Sequence, residues 1–62
     1  MMLKFYKSIL EKVSFDADLF KKELRKSTKW LTKKELSNLK IWALTAFTQY
    51  KQIITEVFDS IS

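Results

Sequence analysis

The chain has 62 residues, 47% of them hydrophobic, with two Trp, two Tyr and five Phe, and twelve Lys and Arg against seven Asp and Glu for a net charge of +5. It contains no Cys and no His, which removes disulfides, thiolate metal sites, the usual zinc ligand set and the commonest general base, and which fits a reducing, cytoplasmic setting. Gly and Pro are also absent, so nothing supplies left-handed turn residues or proline breaks, and an all-α fold is expected.

The opening stretch MMLKFYKSILEKVSF is interrupted by charge every few residues. It has neither the compact apolar run of a signal peptide nor the length of a membrane span, and no run of about 18 apolar residues exists anywhere in the sequence. Leu3, Tyr6, Ile9, Leu10 and Val13, with Phe5 beside them, recur at spacings of three and four, which predicts a first helix over 2–13.

Asp16 is suited to cap a second helix over 17–30, with Asp18 in its first turn complementing the helix dipole. Phe15 and Phe20 stand where a hydrophobic staple places its two members. Around this helix Leu19, Phe20, Leu24, Trp30 and Leu31 occupy one arc and Lys21, Lys22, Arg25, Lys26 and Lys29 the other.

The third start is marked twice. Thr32 and Glu35 have capping-box spacing, and Leu31 and Leu36 flank them as a staple. From there Leu36, Leu39, Ala43, Ala46, Tyr50, Ile53 and Val57 alternate at three and four with no stop signal, which predicts one long helix over 33–59. At about 1.5 Å per residue that helix is about 40 Å long, against about 17 and 21 Å for the first two. The second helix can cover only half of it. The expectation is therefore a single helical domain over 1–62, a three-helix fold whose long C-terminal helix pairs with a second copy. The self-association surface would be Phe47, Tyr50, Ile54, Val57, Phe58 and Ile61, unless the first helix lies far enough along to cover that face itself.

Charge is uneven: residues 1–40 carry a net of +6, and residues 41–62 a net of −1. Lys21, Lys22, Arg25, Lys26, Lys29, Lys33 and Lys34 form a patch that could attract nucleic acid by its summed field, but solvated helix faces are commonly lysine-rich. Eleven of the twelve basic residues are Lys, whereas base readout leans on the bidentate guanidinium, so non-specific nucleic-acid binding is the alternative function and sequence-specific binding is disfavoured. Membrane-surface binding is not expected, because Trp30 and the leucines of the second helix are assigned to the core. Trp30 and Trp42 are expected to share a cluster near the 31–32 turn. Ile41 and Leu44 project off the main arc and hint at contacts on a second side, as does the neutral polar face Thr45, Thr48, Gln49, Gln52 and Thr55.

No catalytic constellation stands out. Glu11, Glu23, Glu56 and Asp59 have no paired-acid or metal-ligand spacing, and without His the hydroxyls have no activating partner, so neither an enzyme nor a cofactor is expected. The sequence reading is a small non-enzymatic helical protein acting through protein–protein association, as a homodimer and with a possible protein partner.

Overall fold

The computed structural model describes residues 2–60, all of whose regular elements are helical. They are α1 (Met2–Lys12), α2 (Ala17–Trp30), α3 (Lys33–Ala46), a single 3-10 turn (Thr48–Tyr50) and α4 (Lys51–Asp59). The principal packing pairs are α1 with α2, α2 with α4, α4 with α3, and α3 with α1, so each helix has two main neighbours around one core. That core is Tyr6, Leu10, Phe20, Leu24, Leu31, Leu39, Ala43, Phe47, Ile54, Val57 and Phe58.

The local signals define the first three helices. The Asp16 carboxylate accepts from the amides of Asp18 at 3.0 Å and Leu19 at 3.2 Å, satisfying donors that the first turn of α2 leaves without a partner. Thr32 and Glu35 close a reciprocal capping box, Glu35 N–H donating to Thr32 Oγ1 at 3.2 Å and Thr32 N–H to Glu35 Oε1 at 3.0 Å. Of the staple flanking it, Leu31 is buried and Leu36 packs partly against the core. With no glycine to turn left-handed, the caps are extended residues instead: Asp16, Leu31 and Thr32 all lie in the β region. No described residue has positive φ.

The expected long third helix is two helices. It stops at Phe47 (φ −126°, ψ 64°), passes through the 3-10 turn and resumes as α4. The reason is tertiary. The molecule measures 26 × 22 × 19 Å, and a straight helix of about 40 Å would carry its last turns out of it. Folding back instead places Ile54, Val57 and Phe58 against α2 and α3, where Ile54 and Val57 have no exposed surface. Burying such side chains is worth about 1.5–3 kcal/mol each, more than the few helical hydrogen bonds lost at the break at about 0.5–1.5 kcal/mol apiece. The last regular bond of α3 runs from Phe47 N–H to Ala43 O at 2.8 Å, and part of the loss beyond it is offset by Tyr50 N–H donating to Phe47 O at 2.9 Å.

Aromatic packing holds the break in place. Phe20, fully buried, meets Phe47 edge-on with centroids 5.0 Å apart and Tyr50 at 4.7 Å. The Tyr50 hydroxyl donates to Ser14 O at 2.6 Å, tying the 3-10 turn to the end of α1 across 36 residues of sequence. Ser27, the one fully buried polar side chain among the described residues, is satisfied within its own helix by donating to Leu24 O at 2.6 Å. Two sequence expectations fail here. Phe15 is 79% exposed, so the Phe15–Phe20 staple does not form. Trp30 is 65% exposed, so it joins no cluster with Trp42, whose ring instead packs edge-on against Phe47 at 5.4 Å.

Candidate association surface

Four of the residues expected to pair with a second chain, Phe47, Ile54, Val57 and Phe58, are buried in this chain's own core, and Tyr50 is half-buried beside them. Ile61 lies outside the described residues. The apolar face that called for a dimer is covered by α2 and α3, because the break at Phe47 turns α4 back onto them. The physical reason for pairing through it is gone.

Apolar surface is exposed elsewhere. Among the described residues six large hydrophobic side chains are exposed, Met2, Phe5, Phe15, Leu19, Trp30 and Ile41, and all but Ile41 belong to α1, α2 or the turn between them. Their placement follows from helix geometry. At about 100° of rotation per residue, Leu19, Glu23, Lys26 and Trp30 fall within about 60° of one another on α2. The opposite flank carries Lys21, whose Nζ lies 3.8 Å from Glu56 on α4. Since α2 packs between α1 and α4, the Leu19–Trp30 flank is the one toward α1.

The same reasoning orients α1. Lys7 places its Nζ 5.5 Å from the Trp42 ring centroid on α3, and Ser14, just past the helix, meets Tyr50, so that flank of α1 faces α3 and the 3-10 turn. Phe5 and Lys12 stand on the other flank, toward α2, with Met2 and Ile9 next to them. A four-residue connection reverses the chain between the two helices. The α1–α2 pair therefore presents an outer seam carrying Met2, Phe5, Leu19 and Trp30, partly buried Ile9 in its floor, and Phe15 at the turn end. Leu19 and Trp30 are separated by about 16 Å along α2. The sequence reading missed this seam because Leu19 and Trp30 lie at one edge of the apolar arc of α2. Phe5 carried a signal: on the helical projection it falls about 110° from the centre of the buried face of α1.

The basic residues are distributed over the outward surface. Lys22, Arg25, Lys29, Lys33 and Lys34 are exposed and form no ion pair among the described residues. Lys21 is engaged with Glu56, and Lys26 lies 3.7 Å from Glu23. Exposed pairs of this kind contribute little to stability, about 0.2–1 kcal/mol. On the other side of the molecule Thr48, Gln49, Lys51, Gln52 and Thr55 line a shallow, open depression. It has one charge, and neither an acid nor an activated nucleophile lines it.

Among the described residues no three or more Asp and Glu side chains come together as a metal site would require, and no helix is long and apolar enough to cross a membrane. No family model, curated protein or solved structure matches the chain.

Proposed function

We propose that this chain is a non-catalytic association module that docks a protein partner through the outer seam of the α1–α2 pair. The observation that carries the reading is the concentration of exposed apolar side chains there: Phe15 at 79%, Trp30 at 65% and Phe5 at 56% exposure, with Met2 and Leu19, against Ile41 alone on the other helices. Single exposed apolar residues are ordinary, but several along one seam, aromatic and rimmed by charge, have the composition of an interface. The chain has already filled its core, so these side chains are not required for folding, and one of the three aromatics among them, Trp30, is of a residue type that dominates binding energy. The test is affinity capture from native extract by the wild type and by the Phe5→Glu, Trp30→Glu double variant, each after nuclease treatment. A protein retained by the wild type and lost by the folded double variant supports the reading. Equal capture by both refutes it.

Non-specific nucleic-acid binding is the second reading, favoured by Lys22, Arg25, Lys29, Lys33 and Lys34 being exposed and unpaired among the described residues. It is the weaker of the two, because lysine-rich solvated faces are common and a phosphate-binding surface has no need of the aromatic seam.

A further inference from the structure

We infer that the occupant of the α1–α2 seam is an amphipathic helix with acidic flanks. This rests on the reading of that seam as an association surface and adds the chemistry of the partner. Residues 2–30 carry eight basic and four acidic side chains. Beside the seam stand Lys12 on α1 and Lys26 and Lys22 on α2, all three exposed, with Lys26 paired to Glu23 at 3.7 Å; Lys4 lies further round α1, beside Glu11. The seam is thus an apolar strip with lysines along its outer edges and one carboxylate, Glu23, on its α2 wall, engaged by Lys26.

Its dimensions and lining select the partner's form. The strip runs about 16 Å from Leu19 to Trp30, the length of three helical turns, and it lies between two helices that a third can contact with residues at i, i+3, i+4 and i+7. Carboxylates on either side of that apolar stripe would meet the lysines of both edges.

The charge pattern also ranks other occupants. A second copy of this chain docked seam to seam would bring two lysine-rich rims together, a like-charge juxtaposition that opposes association. A flat bilayer meets the outermost arcs of both helices, which carry Ser8, Glu11, Asp18, Lys22, Arg25 and Lys29 and no apolar side chain to insert, so it would leave the seam residues unused. Single-stranded nucleic acid needs successive stacking planes, but Met2, Ile9 and Leu19 interrupt the aromatics with aliphatic side chains.

The experiment is a display selection on the intact protein, using peptides of about 16 residues in which a helical apolar stripe is fixed and the other positions are random. The selected sequences should be enriched in Asp and Glu beside the stripe. Their affinity should fall about tenfold or more for the Lys12→Glu, Lys22→Glu variant and fall with salt for the wild type, and it should be lost for Phe5→Glu, Trp30→Glu. Selected helices that need Phe5 and Trp30 but show no acidic enrichment and no salt dependence overturn the partner chemistry and leave the association surface standing. If nothing is enriched above the double variant, both fail. Phosphatidylserine vesicles or a single-stranded oligothymidylate that bind the wild type and displace the selected peptides overturn the inference in favour of a membrane or a nucleic acid.

Discussion

Replacing Ile54 by alanine tests the break at Phe47 and the burial of α4 together. Ile54 has no exposed surface and lies in the core with Val57 and Phe58. The substitution removes three buried carbons at about 0.8 kcal/mol each and leaves part of their volume empty, for a loss of about 3 kcal/mol. A chain of this length has a total stability of about 3–9 kcal/mol at about 0.05–0.15 kcal/mol per residue. The loss is therefore a third of the total at least. In urea unfolding followed by far-UV circular dichroism, with a slope of about 1 kcal/mol per molar, the midpoint should drop by about 3 M, or the variant should be unfolded without denaturant. The wild-type midpoint should not change over a hundredfold range of protein concentration, taken as about two decades to expose any mass-action term. A small effect of Ile54→Ala, or a wild-type midpoint that rises with concentration, would contradict the reasoning, because either places Ile54 on a face that another chain covers.

Tyr50→Phe removes the hydroxyl that donates to Ser14 O and leaves the ring on Phe20, so it should cost about 1 kcal/mol in the same assay. Thr32→Ala breaks the capping box at the start of α3 and should also cost about 1 kcal/mol; an unchanged midpoint would mean that the box does not hold the helix start. Reversing Arg25, Lys29 and Lys33, which stand off the seam, to Glu should leave capture of a protein partner after nuclease treatment in place while weakening any nucleic-acid binding. If the wild type binds duplex DNA tightly at physiological salt, with a log–log salt slope near −0.9 per phosphate neutralised, the nucleic-acid reading takes precedence.

The sequence is legible where structure is decided by neighbours in the chain. Asp16, Thr32 and Glu35 cap helices with groups two or three residues away, so their spacing alone locates the starts of α2 and α3. The end of α3 is decided by distant contacts. Ala43, Phe47, Tyr50, Ile54 and Val57 keep the same three-four alternation on both sides of the break, and no Gly or Pro marks it. What bends the chain is the burial of Phe47 against Phe20 and of Ile54 and Val57 in the core, with the Tyr50–Ser14 hydrogen bond fastening the turn. Trp30 shows the same limit on a smaller scale. A helical projection places it on the apolar arc with Leu24 and Leu31, but α1 and α4 cover only the middle of that arc and one edge, leaving Trp30 and Leu19 on the edge toward the outer seam. The candidate surface was therefore hidden because its residues look like core residues until the neighbours of α2 are known.

The two tryptophans offer the most direct measurement of the central claim, since they sit in opposite environments on one small protein. Trp30 is exposed on the proposed docking seam, whereas Trp42 is half-buried, packed on Phe47 and covered by Lys7. In NMR spectra of isotope-labelled protein titrated with the captured partner, the indole N–H of Trp30 and the amides around Phe5, Phe15 and Leu19 should shift, while the indole of Trp42 and the amides of Thr48, Gln52 and Thr55 stay in place. Shifts confined to Ile41 and the Thr48–Thr55 depression, with Trp30 unmoved, would contradict the account and put the association surface on α3 and α4.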